Sequence, residues 1–175
     1  MKHALSTFSI LLIAVVLNHA IAQDNSIAFN SPAFKYGYEI AMDNGHLFGV
    51  ESSNVSAKAL KDFSKSFKHI TNEKWYAVED GFFASFDNKG IETKVAYDAK
   101  GKWHCTVRAL DEAQMAYGVK YQVQSTYHDA KILVAYEIKH KDGTVYIVKT
   151  DDGKSIKTLR VIDDNIELLA DNSKG

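Results

Sequence analysis

The sequence predicts an α+β fold: tandem α-β4 repeats forming one curved antiparallel sheet, with two helices packed on one face. Two observations lead there. An amphipathic helix is followed by a ladder of four short strands joined by turns, and the whole order then recurs. The turn glycines also repeat, Gly90 against Gly143 and Gly101 against Gly153, as do the endings Thr106-Val-Arg108 and Thr158-Leu-Arg160. A single α+β domain with similar hairpins is the alternative reading of the same pattern.

Residues 1–22 read as a secretory signal. Lys2 supplies the positive start and Phe8 to Leu17 is apolar except for Ser9. His19-Ala-Ile-Ala22 gives a small-residue cleavage site before Gln23. The apolar run is too short to span a bilayer. The expectation is cleavage near Ala22/Gln23, a periplasmic or extracellular location and no membrane insertion afterwards. Residues 23–54 carry the only proline, Pro32, and alternate weakly, so they read as a linker or a loosely docked lead-in with a turn at Asp43-Asn44-Gly45.

The first repeat spans 55–110. Val55 to His69 predicts a helix, with Leu60, Phe63, Phe67 and Ile70 on one stripe and lysines on the wet side. Ser53 or Asn54 can cap it. Strands follow over 75–79, 82–86, 91–97 and 102–109. Asp80-Gly81 suits a two-residue turn, while Asp87-Asn-Lys-Gly90 and Asp98-Ala-Lys-Gly101 suit four-residue loops. Such short links force antiparallel neighbours.

The second repeat spans 111–170, with 171–175 as a tail. Asp111 and Gln114 form a capping-box pair, and Met115 or Ala116, Val119, Val123 and Tyr127 give the inner stripe. Gly118 weakens this helix. Strands then cover 131–140, 144–150, 154–162 and 166–170.

Alternation assigns faces. Phe82, Ala84 and Phe86 point inward, whereas Phe83, Ser85 and Asp87 share the outer face. Trp103, Cys105 and Val107 are expected to oppose His104, Thr106 and Arg108. In the second repeat the inner set is Ile132, Val134, Tyr136, Ile138, Leu159 and Val161.

Composition narrows the function. Without residues 1–22 the chain has 20 basic and 22 acidic residues, interleaved, which leaves no electrostatic footprint for nucleic acid. Cys105 is the only cysteine, so no internal disulfide exists and a buried inert thiol is expected. No G-x-S-x-G, H-E-x-x-H, P-loop, G-x-G-x-x-G or C-x-x-C pattern occurs. Asp151-Asp152 and Asp163-Asp164 read as turns, because they lack calcium-loop spacing. Asn54-Val-Ser56 is a glycosylation sequon, meaningful only in a eukaryotic secretory path. The expectation is therefore no catalytic residue, no metal, no cofactor and no enzymatic activity.

Aromatic supply is high, with nine Tyr, nine Phe and two Trp. A sheet with helices on one side needs one buried face, so aromatics on both faces leave a sticky one. Phe83, Ser85, Asp87, Asn88, His104, Arg108 and Tyr146 form the candidate partner-binding face. The competing arrangement is a second layer, with residues 27–50 folded across it.

The segments Ala57-Lys-Ala-Leu-Lys-Asp-Phe63, Glu73-Lys-Trp75-Tyr, Asp80-Gly-Phe-Phe-Ala-Ser-Phe86, Val95-Ala-Tyr-Asp98, Gly101-Lys-Trp103 and Lys157-Thr-Leu-Arg-Val161 carry a resemblance. They resemble the β-lactamase-inhibitor-like, PepSY-like domains of bacterial envelope proteins, over roughly residues 55–170. The resemblance implies helices on the convex side and a concave sheet face free to grip a protein. It also implies a hairpin at Asp87-Asn88-Lys89-Gly90 that enters a cleft, with an envelope or secreted enzyme or peptidase as partner. Inhibition of a β-lactamase is not implied, and the disulfides of the named inhibitor have no counterpart here. A small-molecule carrier or an envelope structural protein is the alternative.

Overall fold

The strands lie in the sheet in the order in which the chain makes them. The computed structural model describes residues 37–39, 41, 49–78 and 80–175, all within the unit Pro32–Gly175. The expected signal and cleavage site, the turn at Asp43-Asn44-Gly45 and Pro32 lie outside the described residues. After β1 (Gly49–Val50) come α1 (Ala57–Ser66) and the strands β2 (Lys74–Val78), β3 (Gly81–Asp87), β4 (Glu92–Asp98) and β5 (Trp103–Leu110). Then follow α2 (Tyr117–Thr126), β6 (Lys131–His140), β7 (Gly143–Asp151), β8 (Ser155–Ile162) and β9 (Asn165–Ser173). The nine strands among the described residues form one antiparallel sheet in the order β1 to β9. The helix-then-four-strands order occurs twice, as the α+β expectation requires.

The lead-in contributes more than a linker. Gly49 and Val50 pair with Tyr76 and Trp75, and residues 37–39 and 41 are helical. At the far end β9 runs on to Ser173, through residues expected to be tail, and Lys174 N–H donates to Lys154 O at 2.8 Å.

Both long helices cover the same side of the sheet. On α1, Ala59 and Phe63 are buried, and Leu60 and, past the helix end, Phe67 and Ile70 pack beside them against Trp75, Ala84, Phe86, Val95 and Tyr97. Phe63 stands edge-on to Phe86 at 5.1 Å and to Trp75 at 5.4 Å, an aromatic arrangement favoured beyond its area burial. On α2, Val123 is buried with Met115, Leu110, Ile132, Ala135, Val148, Leu159 and Val161. The predicted stripes are the packed stripes.

Both helices begin later than expected. Ser52–Asn54 forms a 3-10 turn, and the N-cap of α1 is Ser56. Gly101 explains the boundary: a Cβ there would lie 2.5 Å from Ser56 Oγ and 2.6 Å from Ala59 N, so the β4–β5 turn is wedged under the start of the helix. Asp111 and Gln114 do make the reciprocal capping-box bonds, at 3.0 and 2.9 Å. They close a separate turn, however, and α2 starts at Tyr117 with Ala116 as N-cap.

Two turns are tighter than expected. Asn88 and Ile91 exchange backbone hydrogen bonds, and Lys89 and Gly90 both have positive φ, 58° and 81°. That is a two-residue turn of the primed type. Asp98 N–H donates to Lys102 O and Gly101 N–H to Asp98 O, which makes a three-residue loop with glycine left-handed at its end. Gly81 is fixed by close approach, because a Cβ there would lie 2.0 Å from Tyr97 O.

Bulges overturn part of the face assignment. Ala96 pairs with Cys105 but Tyr97 pairs with Trp103, so His104 is an extra residue. A one-residue insertion reverses the alternation beyond it. Trp103 therefore joins the α1 side, while Cys105 and Val107 point to the other face with Phe83. A second irregularity between Ile132 and Val134 does the same in β6. Ile132 packs under α2, but Tyr136 and Ile138 face away from it.

Candidate interaction surface

The sheet face turned away from α1 and α2 carries an apolar cluster with members from β2 to β9. Its buried part is Phe83, Ala96, Cys105, Val107, Ile138, Val145 and Ile147, with Tyr76, Val78, Tyr136, Ile162 and Leu169 partly buried around it. Tyr76 and Phe83 pair across β2–β3, and their rings stack at 4.9 Å. This surface is not bare. Ala41 is buried within the cluster and Tyr38 packs against it. Gly37 comes so close that a Cβ would lie 2.5 Å from Ile138 Cγ2 and 3.4 Å from Cys105 Sγ. The expectation of a free concave face is corrected at Gly37, Tyr38 and Ala41, which stand against the cluster, while most of the second layer expected from residues 27–50 lies outside the described residues. The physical reason is the phase change in β5 and β6, which places large apolar side chains where water would otherwise meet them.

The seven candidate residues do not share one face. Phe83 is 1% exposed, a core residue rather than a contact residue. Ser85 is on the same face, opposite Lys94. Asp87 and Asn88 stand at the β3–β4 hairpin, where Asp87 Oδ1 accepts from Gly90 N–H at 2.9 Å. His104 occupies the bulge, its Nε2 3.9 Å from Asp98 Oδ2.

Arg108 and Tyr146 lie on the opposite, helix-bearing face, since Arg108 pairs with Thr93 and Tyr146 with Val161. They meet through Glu137, which the sequence did not single out. Arg108 Nη1 donates to Glu137 Oε1 at 2.8 Å and Tyr146 Oη to Glu137 Oε2 at 2.9 Å. Burial, with the carboxylate beside it, pushes the Tyr146 hydroxyl up to about 12. Only the β5–β6–β7 register could have revealed this triad, and no residue pattern encodes it.

The chemistry on the apolar face is quiet. Burial pushes the Cys105 thiol up to about 12, so it carries no thiolate at neutral pH. His140 pairs directly with Cys105 across β5–β6 and is itself buried, which holds its imidazole below the ordinary value. Its Nδ1 accepts from Asp142 N–H at 3.2 Å. Among the described residues no three His, Cys, Asp or Glu side chains converge to hold a metal ion. A hollow of about 280 Å³ is lined by Tyr127, Asp129, Ala130, Asp152 and Lys154. Its Asp152 carboxylate is already engaged by Lys154 N–H, Ser155 N–H and Lys157 Nζ. No helix among the described residues is long and apolar enough to cross a membrane.

No family model matches the chain, and no curated protein matches it. Solved structures do. A BLIP-like protein from Bacteroides fragilis NCTC 9343 superposes with TM-score 0.56 at 19% identity, over 68% of this chain and 86% of its own. A DUF2874 family protein from Bacteroides ovatus ATCC 8483 gives 0.58 at 14% identity, over 68% and 87%. A protein described as periplasmic, from Bacteroides eggerthii DSM 20697, gives 0.57 at 10% identity, over 68% and 88%. None of the three is described as PepSY-like. At these identities the likeness is one of fold, and the fold is BLIP-like.

Proposed function

We propose that this chain is an exported, non-enzymatic module that acts by binding another protein through the rim of the apolar sheet face. The observation that carries this reading is the set of half-buried apolar side chains, Tyr76, Val78, Tyr136, Ile162 and Leu169, packed against the buried cluster of this face. Tyrosines at the border of an apolar patch are the residue type that supplies binding energy at protein interfaces. The β3–β4 hairpin, Asp87 to Gly90, is the loop assigned here to a partner's cleft, a tight turn with Lys89 and Gly90 at positive φ. The partner class is an envelope or secreted enzyme.

Export is supported by the positive start, apolar run and small-residue cleavage pattern of residues 1–22. The fold likeness to a protein described as periplasmic agrees with it. Lack of enzymatic activity is supported by a protonated, buried thiol and a buried imidazole, neither placed for acid–base work.

Photocrosslinking tests the surface. A benzophenone amino acid at Tyr136, in the intact envelope, should give a discrete adduct with one protein, whereas the same group at exposed Tyr117 on α2 should not. Adducts from Tyr117 alone, or none from Tyr136 and Tyr76, would place the binding surface elsewhere.

A further inference from the structure

We propose that the outer side of α2 is a saccharide-binding platform, on which an uncharged polysaccharide chain stacks against Tyr117 and Tyr121. The site is separate from the rim of the apolar sheet face and does not rest on the binding reading above. Tyr117 and Tyr121 are 80% and 61% exposed, and their rings stack at 6.2 Å with 22° between their planes. The fold does not ask for them. Helices α1 and α2 are both ten residues long, and residues 60–70 repeat the burial pattern of 120–130 position by position. Counted from the helix start, Tyr117 and Tyr121 stand where α1 has Ala57 and Lys61, both exposed. Between them in the chain, Gly118 would meet nothing within 4 Å if it carried a Cβ, so packing does not require glycine either. It lowers helix propensity and leaves bare backbone one turn before Tyr121.

Polar groups flank the rings. Glu112 Oε1 accepts from Gln124 Nε2 at 3.1 Å and pairs with Lys120 Nζ at 3.1 Å. Lys120 follows Tyr117, and Gln124 follows Tyr121, at the i,i+3 spacing of neighbours on a helix surface. The charges of Glu112 and Lys120 cancel. Gly118, Tyr121 and Ser125 are uncharged where α1 carries Lys58, Lys61 and Lys65. A sugar ring matches this arrangement. Its C–H bonds, polarised by neighbouring oxygens, meet the negative face of an aromatic ring. Its edge hydroxyls find a carboxylate, an amide and an ammonium to bond with. A bound peptide would call for a groove or a free strand edge, and a bilayer for a basic helix with a broad apolar face. The outer side of α2 is neither.

Electrophoresis of the protein in native gels cast with dextran, mannan, xylan or xyloglucan tests the site. At least one of these should retard the parental chain. Tyr117→Ala/Tyr121→Ala should bind at least about tenfold more weakly, whereas Tyr117→Phe/Tyr121→Phe, which keeps both ring faces, should stay within about twofold. The thermal midpoint of the alanine pair should match the parental value, since neither ring is buried. If that pair does not fold, Tyr121→Lys, which installs the residue of α1, decides in its place. Parental migration unaffected in every gel, retardation that the alanine pair or Tyr121→Lys retains in full, or its loss in the phenylalanine pair would overturn the proposal. The ligand is not a protein, so a benzophenone at Tyr117 still yields no protein adduct, and the two sites fail separately.

Discussion

Arg108 and Glu137 stand directly opposite each other on β5 and β6 and are joined by a 2.8 Å ion pair. The contact sits where the first helix-and-four-strand run meets the second. With Tyr146 donating to the other carboxylate oxygen, Glu137 serves two partners and Arg108 serves one of them.

That asymmetry orders three variants. Glu137→Ala strands two donors and should cost about 2 kcal/mol, whereas Arg108→Ala and Tyr146→Phe should each cost about 1 kcal/mol or less. The Arg108 side chain is 36% exposed, and water offsets part of its loss. Urea unfolding of the three proteins checks the order. A smaller effect for Glu137→Ala than for Arg108→Ala would contradict the geometry.

Phe83 gives a second test, since it belongs to the core and not to a contact surface. Phe83→Ala should destabilise by about 3–5 kcal/mol, because a stacked, fully packed ring is removed. A thermal midpoint near the parental value would show that the ring is not packed as described.

Glycines separate close approach from backbone strain. Gly81→Ala puts a methyl against Tyr97 O, and backbone cannot yield as a side-chain tip can, so a loss of about 2 kcal/mol or more is expected. Gly90→Ala meets open space, and its cost is confined to the positive φ, about 1 kcal/mol. At the neighbouring position, Lys89→Asn should stabilise by several tenths of a kcal/mol, because asparagine accepts the left-handed conformation that lysine is forced into. Thermal unfolding of the three variants distinguishes these effects.

His140 sets a pH window. Burial, aided by the charge of Lys141 and opposed by Asp142, holds its pKa below 6.5 in the folded chain. The unfolded chain therefore takes up this proton first as pH falls. Stability from the neutral imidazole is complete above pH 6.5 and is lost as pH falls towards the folded-state pKa. Asp98, Asp142, Asp151 and Asp152 are held below their ordinary 3.8, so their contributions are lost only at lower pH. The thermal midpoint should fall between pH 7 and pH 5, and fall less in His140→Gln, which keeps an acceptor for Asp142 N–H. Equal slopes for the two proteins would exclude the role.

The helices, the eight-strand ladder and the turn positions were legible because each follows from local rules. Leu60, Phe63 and Phe67 repeat at helical spacing, and Asp-Gly and Lys-Gly steps sit where the chain must reverse. The second side of the sheet was not legible. Extra residues at His104 and within Ile132 to Val134 reversed the alternation, and a bulge leaves no composition signal when polar and apolar residues flank it alike. The first moved Cys105 and Val107 together, and the second moved Tyr136 and Ile138. The seven candidate residues scattered for the same reason, while Glu137 escaped notice because its role depends on partners 29 and 9 positions away. Gly37 and Ala41 carry no periodic pattern, so their contact with the sheet was visible only within an alternative.

Strict sequential strand order has a kinetic consequence. Each strand finds its neighbour through a nearby reversal, so the loop-closure cost of every pairing is small and relative contact order is low for so extended a sheet. The chain can then assemble hairpin by hairpin, with no cross-link to guide it. Rapid zippering of this kind shortens the time during which its large apolar surfaces stand open to aggregation.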